Sequence, residues 1–190
     1  VPNASLIDTS TTGLHSFTVT ATDSNAVSTQ QTVTYGVVPP PVATISTPAN
    51  GAHYTQGQSV GTAYTCTAST AGPASCVGTL PAGSAIDTSS TGTSSFTVTA
   101  ADANGVSATQ GASYTIVPRP QVTITVPAAG ATYALGAAAA ASFACGAGPP
   151  LAIVSCTSPV PAGARIDTSS IGSHHFTVTA GDSNGVSAGR

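Results

Sequence analysis

One stretch of sequence is written three times along this chain. Residues 7–27 read IDTSTTGLHSFTVTATDSNAV, residues 86–106 read IDTSSTGTSSFTVTAADANGV, and residues 166–186 read IDTSSIGSHHFTVTAGDSNGV. Asp8, Asp87 and Asp167 are spaced by 79 and 80 residues, and so are Phe17, Phe96 and Phe176. The intervening sequence repeats as well: VPPPVATISTPANGAHYTQGQ from Val38 lies over VPRPQVTITVPAAGATYALGA from Val117. The extra residue of the third copy falls between its two cysteines. A period near 80 is too long for a solenoid rung, which runs to about 50 residues. It suits a small β-sandwich.

The repeat predicts the organisation. Residues 1–37 read as the back half of one copy, 38–117 as a complete copy, and 118–190 as a copy lacking its last strand. The joints VVPPPV and VPRPQV are proline-rich, and such joints act as semi-rigid, extended spacers. Within the middle copy, short alternating runs separated by turn residues predict an all-β fold, with strands over 42–47, 60–67, 75–79, 85–88, 94–101 and 106–116. In FTVTA, Phe96, Val98 and Ala100 take one face and Thr97 and Thr99 the other, as the two-residue period of a strand requires. Pro48-Ala49-Asn50-Gly51 predicts a turn and Asp102-Ala103-Asn104-Gly105 a hairpin, since Asn and Gly tolerate positive φ. The run GAAAAAS at 136–142 favours helix by propensity. Its register matches GQSVGTA at 57–63, which reads as strand, so it is assigned to strand.

Charge narrows the function. Charged residues make up 5% of the chain, against about 25% in an ordinary domain. Three arginines, no lysine and a net charge of −3 do not supply the phosphate neutralisation on which nucleic-acid binding depends. Nucleic acid is excluded as a partner on this ground, and an anionic membrane surface is disfavoured. No apolar run reaches the roughly 20 residues of a membrane-spanning helix, so membrane insertion is not expected. The opening VPNASLIDTS lacks the basic start and apolar stretch of a signal peptide. The expectation is either a precursor whose signal is gone or an internal piece of a longer chain.

The cysteines come one pair per copy at matched positions, Cys66 with Cys76 and Cys145 with Cys156. Matched pairs enclosing loops of similar size read as intra-domain disulfides. A zinc site needs about four ligands close together, and no histidine or further cysteine accompanies either pair, so no metal and no cofactor is expected. Disulfides persist in oxidising compartments, which places the protein outside the cell or on its surface.

The titratable residues have structural readings. His15 and His53 stand where other copies have Ser94 and Thr132, and His174 and His175 are adjacent in an expected strand. All four are read as solvent-facing strand residues. Asp8, Asp87 and Asp167 follow Ile in IDTS, where Asp bonds to backbone at a turn, and Asp23, Asp102 and Asp182 open the second turn. Calcium, which takes six to eight oxygens, finds one acid per loop. No Ser/His/Asp set recurs and no carboxylate pair is placed for glycoside hydrolysis, so no catalytic residue is assigned. Thr-x-Thr ladders occur in ice-binding proteins, but here they recur once per copy. Asn3-Ala4-Ser5 fits an N-glycosylation acceptor.

The order PANGAxYxxG, YTC, SCVGT and AIDTSSTGTxSFTVTAxDxNGV resembles the tandem immunoglobulin-like repeats of bacterial secreted and surface proteins, over essentially the whole chain. The resemblance implies a sandwich of seven or so strands, strung in series as a stalk or spacer. It carries over no catalytic residue; it implies the pairings Cys66–Cys76 and Cys145–Cys156 and core places for Phe17, Phe96 and Phe176.

The third copy lacks the counterpart of QTVTYGV (31–37) and GASYTIV (111–117). Two readings follow. In one, the chain is a piece of a longer array. In the other, Gln31, Thr32, Val33, Thr34, Tyr35, Gly36 and Val37 of one chain complete the open third copy of another, a heterologous contact that does not close and so builds a fibre. The expected partners are further copies of this chain or neighbouring domains. A glycan-binding surface module, or a spacer of a secreted enzyme, is the alternative. Carbohydrate sites usually present exposed aromatics, whereas Tyr and Phe here recur at strand positions and Trp is absent.

Overall fold

A computed structural model describes residues 4–68 and 73–190. Asn3 of the glycosylation triplet lies outside the described residues. Strands β1 (Gly13–Thr22), β2 (Ser28–Val37), β3 (Val42–Thr47), β4 (His53–Thr55), β5 (Ala63–Thr67), β6 (Pro73–Gly78), β7 (Gly92–Asp102), β8 (Ser107–Val117), β9 (Gln121–Val126), β10 (Ser142–Gly146), β11 (Ile153–Thr157), β12 (Thr179–Asp182) and β13 (Ser187–Gly189) account for the regular structure, and no helix occurs among the described residues. The fold is all-β. The sheets are β1-β2, β3-β5, β4-β8-β7-β6, β10-β9 and β11-β12-β13.

The chain divides into two compact units: Val1–Thr44 with Tyr64–Gly78 and Val98–Gln110, and Ile45–Ala63 with Thr79–Thr97 and Gly111–Arg190. In the first unit, β1 and β2 form an antiparallel ribbon running from Gly13↔Val37 to Thr22↔Ser28. The alternation of FTVTA decides its faces: Thr18 Oγ1 meets Thr32 Oγ1 across the strands at 2.9 Å, while Phe17 stands opposite Val33. Cys66 and Cys76 form a disulfide with 5.7 Å between their Cα atoms, joining β5 to β6. Cys76 in turn pairs with Ala100 of β7.

In the second unit, β4 runs parallel to β8, with Tyr54 opposite Ile116, and Tyr54 meets Tyr114 edge-on at 5.9 Å. The residues of the third copy enclose a core of Val122, Val178 and Ala180, against which Ile124, Phe143, Cys145, Ile153 and Phe176 pack. These side chains come from both sheets of that copy, and the Cys145–Cys156 disulfide, Cα atoms 6.1 Å apart, ties the sheets together. Facing sheets with alternate residues turned inward form the two-layer arrangement in which amphipathic strands bury their apolar sides.

Three strand expectations are corrected. The run 60–67 becomes a strand only at Ala63; before it the chain makes a single bridge, Gly61 to Ala85, with Ile86 N–H bonding to Val60 O and Thr62 N–H to Ser84 O. Residues 85–88 hold that bridge alone. The alanine run behaves as its sister does: Ala140 bridges Arg165, Ile166 N–H bonds to Ala139 O, and β10 begins only at Ser142. The reason is common to all three. Each segment finds a partner over about two residues before the turn containing Pro81 or Pro161 carries the partner away, too short a ladder for a strand.

The expected strand around His174 and His175 is also corrected. Its counterpart in the middle copy lies within β7 (Gly92–Asp102), but residues 173–178 are in no strand, and β12 starts at Thr179. A strand needs cross-strand backbone bonds. In the middle copy β8 supplies them along its whole length, whereas in the third copy the ladder ends with Val178 and Arg190 exchanging both backbone bonds at 3.0 Å.

Candidate assembly elements

The two aspartate positions build two turns. In IDTS, Ser89 N–H bonds to Asp87 Oδ1 at 2.8 Å, and Ser10 and Ser169 do the same for Asp8 and Asp167. Bonds from the serine amide and hydroxyl hold the Asp87 carboxyl below its ordinary range, and the serine hydroxyl and amide do so for Asp8 and Asp167. Donors to the charged form favour ionisation. The other two residues point inward: Ile86 is buried, and Thr88 Oγ1 donates to Gln58 O, as Thr168 Oγ1 does to Ala137 O. In the hairpin turn, Asp102 Oδ1 accepts the amides of Asn104 and Val106 at 2.9 Å. Asp23 and Asp182 repeat this pattern. Gly105 and Gly185 take φ of 81° and 79° there, and Ala26 takes 65° without a glycine's freedom.

Asp182 does more than shape its turn. Its second carboxyl oxygen accepts a bond of 2.6 Å from Thr55 Oγ1, a residue of the preceding copy. Asn184 Nδ2 reaches the carbonyl of His53 at 3.1 Å and Thr55 Oγ1 at 3.2 Å. Thr55 is 0% and Asp182 1% exposed. Arg119 donates through Nε to Gln56 O at 3.0 Å. The carboxyl of Asp182 and the hydroxyl of Thr55, both buried, therefore both have partners. Sequence reading assigned Asp182 to its turn and missed the second oxygen, because Thr55 lies 127 residues away. The repeat did hold one hint: Thr55, Gln56 and Gln58 stand where the third copy has Ala134, Leu135 and Ala137.

The candidate strand residues 31–37 lie in β2, and each pairs with β1, from Val19↔Gln31 to Gly13↔Val37. On the apolar face of this ribbon, Val19 and Val33 are 52% and 57% exposed, whereas their counterparts Val98 and Ala112 are buried. Phe17 is half-buried, while Phe96 is fully buried in the middle copy. In the third copy Phe176 is also half-buried, and the counterparts of Tyr54 and Gln56, Tyr133 and Leu135, are 40% and 66% exposed.

His15 corrects its expectation. It lies on the same face as Phe17, is half-buried, and stacks on Tyr35 with centroids 5.4 Å apart. Two-residue periodicity puts it there, since Phe17 faces the core. Its Nε2 donates to Thr11 O at 2.8 Å, and His174 makes the same bond to Ser170 O at 3.1 Å. His53, His174 and His175 are exposed. Among the described residues no three His, Cys, Asp or Glu side chains group to hold a metal, and no helix is long and apolar enough to cross a membrane.

No family model matches this chain. No curated protein matches it either. Among solved structures, the fibronectin(III)-like modules of Clostridium thermocellum CbhA are similar at 15% identity and a TM-score of 0.40, over 77% of this chain and 89% of that one.

Proposed function

We propose that this chain is a non-enzymatic extracellular structural protein: a rod, stalk or filament of repeated, disulfide-stapled immunoglobulin-like domains, divided at the proline joints. One observation carries the reading, the buried joint at Thr55, Asp182 and Asn184. A spacer transmits length and direction only if successive domains are fixed to one another. Flexible links leave polar groups in water, whereas this joint withdraws a carboxyl and a hydroxyl from solvent and pairs both. Burying such groups without partners would cost several kcal/mol, about 2–7 for a hydroxyl alone. The disulfides support an oxidising location. The scarcity of charge supports close packing of copies, since Thr, Ser and Ala surfaces shed little hydration on contact.

Negative-stain electron microscopy of native material, beside an intact mass with and without reductant, tests the reading. The expected result is filaments or rods whose axial repeat matches whole sandwiches. Discrete compact particles with reproducible, competable binding on a glycan array would overturn it in favour of an adhesive module.

A further inference from the structure

Three reactive groups converge at Thr55. Its Oγ1 donates to Asp182 Oδ2 at 2.6 Å and accepts a bond of 3.2 Å from Asn184 Nδ2. A hydroxyl, a carboxylate placed to take its proton and a primary amide thus meet out of water, since Thr55 and Asp182 are buried and Asn184 is half-buried. The fold does not require that hydroxyl. In the third copy Ala134 stands in the place of Thr55, and the same turn closes. Gln58 N–H bonds to Thr55 O as Ala137 N–H does to Ala134 O, and Gly57 N–H to Thr88 O as Gly136 N–H does to Thr168 O.

We infer that Thr55 and Asn184 become joined by an ester that the folded chain forms on itself, a covalent link between residues 129 apart in sequence. The geometry meets the requirements of an activated nucleophile beside its base. The hydroxyl hydrogen is committed to Asp182, so a lone pair of Oγ1 faces Asn184, as the bond it accepts from Nδ2 shows. The amide carbon lies one covalent bond beyond that nitrogen. Asn184 is held in place: Nδ2 also donates to His53 O at 3.1 Å, and its backbone N–H donates to Asp182 Oδ1 at 3.0 Å. Asp182 is fixed in turn, because Oδ1 takes the amides of Asn184 and Val186 and leaves Oδ2 to the hydroxyl.

The step balances within these three residues. Oγ1 attacks Asn184 Cγ as its proton passes to Asp182 Oδ2. The tetrahedral adduct collapses, the Cγ–Nδ2 bond breaks, and Asp182 returns the proton to the departing nitrogen. One hydroxyl and one primary amide are consumed, one ester and one ammonia are formed, and Asp182 ends as it began. An ester is less stable than an amide, but two effects oppose that. Well-oriented groups reach effective molarities of about 10⁵–10⁸ M, and the ammonia escapes into bulk water. Burial then keeps water from hydrolysing the product. The link is a staple that reductant does not open, and it stands independently of the rod reading.

The arginines give a direct assay. Arg119 precedes a proline and Arg190 is the last residue, so trypsin cuts this chain after Arg165, and both cysteine pairs stay within residues 1–165. The full chain is kept folded near neutral pH, sampled over days, then denatured, reduced and cut. Residues 166–190 are expected to remain attached to 1–165, with a combined mass short by one ammonia, and to come free on treatment with hydroxylamine. Thr55→Ala, the residue of the sister turn, should release them without treatment, and Thr55→Ser should retain the link. Asp182→Asn, which keeps Oδ1 for the turn amides, should slow its formation by about 10²–10⁴-fold. The inference is overturned if residues 166–190 of the aged parent come free, with Asn184 either intact or deamidated, or if Thr55→Ala links equally. A mass short by one water overturns it too, since the ester would then be on Asp182. Linked chains that form no rods or filaments would sink the rod reading and leave the ester standing.

Discussion

At the scale of single residues, IDTS is nearly saturated with structural work. In the middle copy Ile86 is buried, Thr88 bonds to Gln58 of the neighbouring segment, and Asp87 and Ser89 close a turn on each other. This predicts a pH response. Asp8, Asp87 and Asp167 lie below their ordinary value of 3.8 because serine donors stabilise the ionised form. A depressed folded-state pKa contributes stability that is complete above the unfolded value and is lost as pH falls through the folded one. Acidification below pH 3.8 should therefore loosen these turns, with no effect near neutral pH. Carboxyl-carbon NMR titration should give midpoints below 3.8 for all three, and Ser89→Ala should move Asp87 alone back toward that value.

At the scale of elements, each disulfide joins the two sheets of its copy, β5 to β6 and β10 to β11. The sandwich has no tryptophan, and its inward strand positions are largely alanine and valine. Small domains bury only a modest share of their surface, and such staples add to the stability of a thin core. In the chain-entropy model, closing a loop of about 10 residues contributes about 2.7 kcal/mol. Replacing Cys145 and Cys156 with serine should lower the stability of the third copy by about that amount, read as an earlier urea midpoint for amides of β9 to β12 by hydrogen exchange. Amides of β1 and β2 should be unaffected. The threonine rows on the opposite face, Thr18 with Thr32 and Thr99 with Thr109, satisfy one another across strands, which explains the repeated TVT without any ligand.

At the scale of the whole molecule, the buried bond from Thr55 to Asp182 links segments 127 residues apart. Thr55→Val keeps the shape of the side chain and removes its donor, leaving a carboxyl oxygen of Asp182 short of a partner. That should cost about 1–3 kcal/mol. If the joint couples the two copies, thermal unfolding that is one transition in the parent should separate into two in the variant; a single transition in both would assign Thr55 a merely local role. Much of this protein was legible in its sequence. The period, the all-β class, both cysteine pairs, the turn at Asp102 and the faces of FTVTA follow from short-range rules of alternation, turn chemistry and repetition, which act within a few residues or between copies. What escaped is non-local. The strand ends at Ala63 and Ser142, the missing strand before Thr179, the inward turn of His15 and the bond from Thr55 to Asp182 each depend on whether a distant segment arrives to accept a hydrogen bond. The sequence by itself determined which residues prefer to be strand, turn and core. Only the tertiary structure decided which of those preferences find a partner, because a β-strand, unlike a turn, is completed by backbone groups that belong to another part of the chain.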